Sequence, residues 1–361
     1  MSDLVEPTVE PPCPFVGEGC GGCDWQHLAP GSQRRRKAEL VADELRRATG
    51  LDVEVGAGPD LPTEGHRTTV RGLALDGRFA FRQRHSHDLV AIDPCLVVHP
   101  LLNELVAEGR FPDGEVVLRA GARTGERLVL VDGDAGSVHV PDDVRVVSAA
   151  ALDAGKRAWY HEEVAGRTWR ISARAFFQAR PDGAEALVDL VGAALAGVEG
   201  EGLADLYGGV GLFAGTVGAE WPGRRTLVEQ NPSSIADAKI NVKPDGVKVV
   251  RADVARWHTG RVAAVVADPP RAGLGKAGVR AVAATRAERL ALVSCDPLSL
   301  GRDARLLGQA GYVLADATLV DLFPHTSHVE VVCRFDRDPD HDPEPDPDPD
   351  PDAHPPSPSA P

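Results

Sequence analysis

The stretch Asp205-Leu206-Tyr207-Gly208-Gly209-Val210-Gly211-Leu212-Phe213 follows the apolar run Gly202-Leu203-Ala204 and leads into helix-like sequence. Glycines between a strand and a helix let the backbone approach a ligand at the helix N-terminus. Helix-like sequence over Asp182–Ala194 precedes it. Buried-strand patterns follow at Arg225–Glu229, Val247–Val250, Val262–Ala267, Arg289–Ser294 and Val329–Arg334, with helical segments between most of them. That alternation predicts an α/β unit whose parallel sheet carries helices on both faces. Glu229 closes the next strand about 20 residues on, where an acid can bond ribose hydroxyls. The spacing Gly209-x-Gly211-x-x-x-Gly215 departs from the dinucleotide pattern and favours a different adenosine cofactor.

Two further strands end in chemistry-bearing residues. Val265-Val266-Ala267 runs into Asp268-Pro269-Pro270-Arg271, where the proline pair forbids continuing the strand. Asp268 is thereby held at the carboxyl edge, where open α/β sheets bind ligands. Ala291-Leu292-Val293-Ser294 ends in Cys295-Asp296-Pro297 at the same edge. Free cysteines are more often buried hydrophobes than nucleophiles. Cys333, inside an apolar run, fits that description, and Cys295, at a strand tip, fits it less well. Glu330 opens the last strand after Phe323-Pro324-His325-Thr326-Ser327-His328; read alone, it is a salt-bridged edge residue.

Outward from this unit, residues 61–160 alternate short β-like runs with turns, including 77–82, 115–119 and 127–131, and predict a mainly antiparallel domain. Gln33–Ala48 reads as a helix with Ser32 as N-cap and Gly50 past its end. Residues 1–30 are rich in Cys, Gly and Pro. The expected division is 1–60 cysteine-rich loop and helix, 61–160 central β-rich domain, 161–336 α/β domain and 337–361 disordered acidic tail.

The formal charge of −15 over 361 residues looks unfavourable for a nucleic-acid partner, but nine acids against one arginine from Asp336 onward supply eight of those charges. Basic residues cluster at Arg34-Arg35-Arg36-Lys37, at Arg46-Arg47, and at Arg67, Arg71, Arg78, Arg82 and Arg84. Such clusters permit RNA binding without arguing for it. No apolar run approaches the roughly 18 residues of a membrane span. No secretory signal is visible, so a cytoplasmic monomer is expected. In that compartment Cys13, Cys20, Cys23 and Cys95 suit tetrahedral zinc or an iron–sulfur cluster better than disulfides. Spacing alone favours zinc.

The ordered series Phe176-Phe177-Gln178, Asp205-Leu206-Tyr207-x-Gly209-x-Gly211, Val228-Glu229, Asp268-Pro269-Pro270-Arg271, Ser294-Cys295-Asp296-Pro297 and Phe323-Pro324-His325-Thr326-x-His328-Val329-Glu330 resembles the RNA uridine-5-methyltransferases. The resemblance runs from Cys13 to about Phe335. It implies a Rossmann-like class I methyltransferase domain beside a mainly β central domain and a cysteine-rich loop. It also implies Cys295 as the nucleophile that adds to carbon 6 of uracil and Glu330 as the base that removes the carbon 5 proton. Gln178, Tyr207, Gly209, Gly211, Glu229 and Asp268 would line the S-adenosylmethionine site. Phe176 or Phe177 could stack on a base, with core packing the alternative.

Gly208, Asp296, Arg180 and Leu212 depart from the usual pattern, and none removes a catalytic group. The segment Cys20–His27 resembles the rRNA-modifying branch and implies a [4Fe–4S] cluster on Cys13, Cys20, Cys23 and Cys95, with 23S rRNA as substrate and transfer RNA as the alternative. Only 12 residues precede Cys13, too few for the β-barrel RNA-binding domain that many relatives carry there. Two rival classes account for less of the sequence. A nicotinamide-dependent oxidoreductase with an iron–sulfur module leaves Cys295 and Glu330 without roles. A noncatalytic zinc-ribbon RNA-binding protein leaves the cofactor-like sheet edge without one.

Overall fold

The computed structural model describes residues 8–341; the Asp-Pro alternation of the expected tail, from 342 onward, lies outside them. In chain order the elements are α1 (Pro30–Thr49), β1 (Gly56–Ala57), β2 (Thr69–Leu75), β3 (Arg78–Arg82), β4 (Leu89–Ala91), α2 (Pro100–Glu108), β5 (Glu115–Ala120), β6 (Arg127–Val131), β7 (Arg145–Ser148), α3 (Ala149–Asp153), β8 (Trp159–Val164) and β9 (Arg167–Ser172). The second half continues with α4 (Pro181–Leu195), β10 (Leu203–Leu206), α5 (Leu212–Gly215), β11 (Arg225–Glu229), α6 (Pro232–Asn241), β12 (Lys248–Arg251), β13 (Ala264–Ala267), α7 (Gly275–Thr285), β14 (Arg289–Ser294), α8 (Pro297–Gln309), β15 (Tyr312–Leu319) and β16 (Val331–Arg337).

The larger sheet has eight strands in the order β1-β15-β16-β14-β13-β10-β11-β12. Side chains alternate across it: Ala264 and Val266 of β13 enter the core with α4, while Val265 and Ala267 enter the core with α1, α7 and α8. Helices therefore cover both faces, as the alternating pattern predicts. The sheet is not wholly parallel, which corrects the sequence reading. β16 runs antiparallel between β14 and β15, and β15 was absent from the expected strands. Its burial is broken by exposed Val313, Ala315 and Asp316, so no continuous apolar run marks it.

The second sheet is six-stranded, β4-β3-β2-β5-β6-β7, antiparallel except for the β6–β7 pair. The β8–β9 hairpin spans the expected boundary at 160. It sides with the larger sheet, because Trp169 and Ile171 are fully buried in the α4 core. The first 60 residues divide as well. The cysteine loop pairs with β3 through a Cys20–Gln83 bridge and a Gly21 N–H donating to the Arg82 carbonyl at 2.9 Å, whereas α1 packs on the larger sheet through Val41 and Leu45. α1 starts at Pro30 rather than after Ser32: proline at the first position has a helical φ and no N–H to leave unpaired. Gly50 ends it in the left-handed conformation, φ 75°.

Candidate active site

Sheet register assembles the site. Leu206 pairs with Ala267 at the ends of the parallel strands β10 and β13, so Tyr207 and Asp268 emerge side by side. Ser294 of β14 pairs with Val331 of β16 in antiparallel sense, so Cys295 and Glu330 are the next residues beyond that ladder. All four reach the carboxyl edge of the parallel strands.

A cleft opens there, lined by Phe176, Gln178, Tyr207, Gly209, Phe213 and Asp268, among others. The Gln178 amide donates to Asp268 Oδ2 at 3.3 Å, and the Gly209 N–H donates to Glu229 Oε2 at 3.0 Å. Gly209 has φ 55° and nothing within 4 Å of where a Cβ would stand, so its backbone is bare toward the cleft. Gly211, at φ 105°, is required differently: a Cβ there would come within 2.8 Å of Val242. The two phenylalanines separate by environment. Phe177 is buried, and Phe176 is 65% exposed at the mouth of the cleft.

Buried acids set the electrostatics. Asp268 keeps part of its surface open to the cleft, yet the protein crowding it pushes its carboxyl up to about 7, with the Gln178 hydrogen bond opposing. Burial raises Glu330 well above the ordinary glutamate range, and the nearby Asp268 raises it further. The Cys295 thiol is half-buried and pushed up to about 11 by burial and then by Glu330 and Asp268; the Arg271 guanidinium opposes that shift. Asp296 caps α8 by accepting the Ser299 N–H at 2.8 Å. Cys333 is fully buried within β16, as its apolar surroundings in sequence suggest.

Several residues were not singled out from sequence as part of the site. Asp205, fully buried in β10, accepts the Ala214 N–H on Oδ2 at 2.9 Å, has no partner on Oδ1 and is pushed up to about 7 by burial. An acid inside an apolar strand was the available signal. Arg271 lies against the His328 ring, 3.3 Å from both ring nitrogens, and His328 meets Phe323 edge to face at 5.9 Å. Buried Lys37 of α1 pairs with Asp321 at 2.7 Å.

The four N-terminal cysteines are brought together without any disulfide: all line one cavity, walled by Phe15, Val16, Phe81 and Ile92. Among the described residues, no three Cys, His, Asp or Glu side chains form a group set to hold a metal ion. Many of the arginines in the basic clusters turn out to be neutralised locally. Arg34 pairs with Asp60, Arg46 with Asp43 and Asp52, Arg47 with Glu44, Arg71 with Glu115 and Arg78 with Asp93. Arg82 and Arg84 instead donate to the backbone carbonyls of His87 and Cys23. No helix among the described residues is long and apolar enough to cross a membrane.

Residues 253–337, which include Asp268, Cys295 and Glu330, match the model of the tRNA (uracil-5-)-methyltransferase family. An uncharacterised RNA methyltransferase of Streptomyces avermitilis is 35% identical over 91% of this chain and 84% of its own length. One from Streptomyces coelicolor is 35% identical over 91% of this chain and 80% of its own. The solved tRNA (uracil-54, C5)-methyltransferase of Pyrococcus abyssi, in complex with S-adenosyl-L-homocysteine, superposes with a TM-score of 0.69 at 24% identity, covering 88% of this chain and 84% of that one, and so shares the fold. The chain belongs to the S-adenosylmethionine-dependent RNA uracil-5-methyltransferase family, built on the class I methyltransferase fold.

Proposed function

We propose that this enzyme methylates carbon 5 of a uridine through a transient bond between Cys295 and carbon 6 of the base, with Glu330 as the proton-abstracting base. The observation that carries the reading is the emergence of Cys295 and Glu330 from neighbouring strand ends, beside Asp268 and the glycine-floored cleft. Cys295 loses its proton to solvent and the resulting thiolate adds to carbon 6. That addition makes carbon 5 an enolate-like nucleophile and splits one difficult substitution into easier steps. S-adenosylmethionine, when bound, supplies an electrophilic methyl group. Gln178, Tyr207, Gly209, Gly211, Glu229 and Asp268 would hold it, with Glu229 placed for ribose hydroxyls. Glu330 then takes the carbon 5 proton, the carbon 5–carbon 6 double bond re-forms and Cys295 leaves as thiolate. A base inside folded RNA must be splayed out to reach this edge.

For the RNA path, the supporting feature is a cleft between the cysteine loop, the β3–β4 turn and residues 326–328, where Trp25, Arg82, Arg84, His85 and His328 converge. The cysteine segment favours 23S rRNA as substrate. Transfer RNA is the substrate named for the family model and for the Pyrococcus abyssi protein. Comparing 5-methyluridine in ribosomal and transfer RNA from wild-type and deletion strains decides between them; loss from neither removes the uridine assignment.

Cys13, Cys20, Cys23 and Cys95 are proposed to hold a [4Fe–4S] cluster, because four free thiols share one apolar cavity and thiolates are the ligands such clusters take. No step of the methyl transfer needs it, and its role is to shape the loop. Anaerobically purified protein is then brown and contains iron; stoichiometric zinc without iron overturns the assignment. Reduced cysteines suit a cytoplasmic enzyme.

A further inference from the structure

The loop that delivers Glu330 is fastened from the far end of the chain. His325, midway between β15 and β16, has φ 65°, a conformation that histidine visits more readily than most residues but that still needs support. The support is Gln33 of α1. Its Oε1 accepts the His325 N–H at 2.7 Å, and its Nε2 donates to the carbonyls of Trp25 at 3.1 Å and Leu28 at 2.8 Å. Having only two hydrogens, Nε2 leaves its 3.4 Å contact with His325 Nδ1 as the weakest of its three.

Gln33 is fully buried and ties the segment after Cys23 to the loop before Glu330. Two further bonds join the same pieces: the Trp25 N–H donates to the His325 carbonyl at 2.9 Å and the Ser327 N–H to Asp24 Oδ1 at 3.1 Å. One turn along α1, Lys37 holds Asp321 and the Phe323 carbonyl. The loop closes through the Val320 N–H donating to the Glu330 carbonyl at 2.8 Å.

We infer that Gln33 is a positioning residue for Glu330: it sets the path of residues 321–328 and with it the approach of the Glu330 carboxylate to the carbon 5 proton. A base shifted by about 1 Å loses on the order of a hundredfold in rate, whereas Cys295, carried by β14, does not depend on this loop. Proton abstraction is therefore the step that Gln33 controls. The inference rests on the covalent reading above.

The test uses full-length protein, RNA tritiated at uridine carbon 5 and S-adenosylmethionine, following tritium release and the denaturation-resistant protein–RNA species, with Glu330→Gln as control. Gln33→Ala is expected to slow tritium release about tenfold to a hundredfold and to accumulate the covalent species, with the KM for RNA within about threefold of wild type. Parallel loss of adduct and tritium release, in step with the folded fraction, overturns the inference. If Gln33→Ala does not fold, the part-exposed Asp24 decides: Asp24→Ala must show the same split in milder form, and Asp24→Asn, which keeps the acceptor for Ser327, must restore it. Absence of adduct even in Glu330→Gln sinks the covalent reading. Adduct in that control but not in the variants sinks the role of Gln33 alone.

Discussion

Cys295 and Glu330 flank the Ser294–Val331 pair, the last register pair of the antiparallel β14–β16 ladder. Directly opposed residues in such a ladder have Cβ atoms about 5 Å apart, so the two groups emerge as neighbours from separate strands. A fully parallel sheet would not pair them this way, because the last strand would then begin at the opposite edge. The antiparallel β16 is thus what brings these two strand-tip residues together, as the proposed nucleophile and base require.

Replacing Cys295 by Ala is expected to abolish turnover, by on the order of 10³-fold or more, while S-adenosylmethionine binding stays within about threefold, since the cleft of Gln178, Gly209 and Asp268 does not include the thiol. Single-turnover methylation and equilibrium cofactor binding measure the two effects. Wild-type rates in the variant would dispose of the covalent step.

The pH profile follows from the raised groups. A base must be deprotonated to act, and Glu330 is held above the ordinary glutamate range; the nucleophile must become a thiolate, and Cys295 is held at about 11. Both requirements give a methylation rate that increases as pH rises from 5 to 9, with no falling limb from either group in that range. A maximum near pH 5 would contradict both assignments. Stability moves the other way for Asp205, whose folded-state carboxyl at about 7 lies above its usual 3.8. Its contribution is fully present below pH 3.8 and is lost as pH rises through 7. Asp205→Asn should therefore gain melting temperature relative to wild type at pH 8 compared with pH 5, read by thermal unfolding at both.

How far this could be read from sequence varies with the kind of contact. β11 and β14 fall where the apolar runs Arg225–Glu229 and Arg289–Ser294 placed them, because a strand buried on both faces writes itself as a continuous run. Asp268 and Cys295 were legible as strand tips for the same reason. β15 was not, since its burial is broken, and neither was the direction of β16, which depends on a partner rather than on its own residues. The Gln33–His325 bond joins positions 292 apart, a separation that no local pattern encodes.

The two glycines of the cofactor turn should respond differently to alanine. Gly211→Ala drives a Cβ to 2.8 Å from Val242 Cγ1 in a buried turn, so it is expected to destabilise the fold by about 1–3 kcal/mol. Gly209→Ala meets no atom within 4 Å and costs about 1–2 kcal/mol for its positive φ, but it puts a methyl where the backbone faces the cleft. Its larger effect should be a tenfold or greater rise in the S-adenosylmethionine KM. Urea unfolding and initial-rate kinetics on both variants separate the two, and equal KM values would mean that Gly209 does not face the cofactor.

The basic residues make a last, separable claim about RNA. Arg46 and Arg47 are held by Asp43, Asp52 and Glu44, so their charge is already answered within α1 and its C-terminal turn. Arg82 is exposed on the wide cleft and contacts His87 rather than an acid. If a single strand lies in that cleft, removing one phosphate contact lowers the slope of log affinity against log salt by about 0.7. Arg82→Ala is therefore expected to weaken RNA binding several-fold at 50 mM salt and to flatten the salt dependence by about that amount, whereas Arg46→Ala should change neither. Titrating both variants with the same RNA across a salt series measures the slopes. Equal slopes for Arg82→Ala and wild type would take the strand out of this cleft.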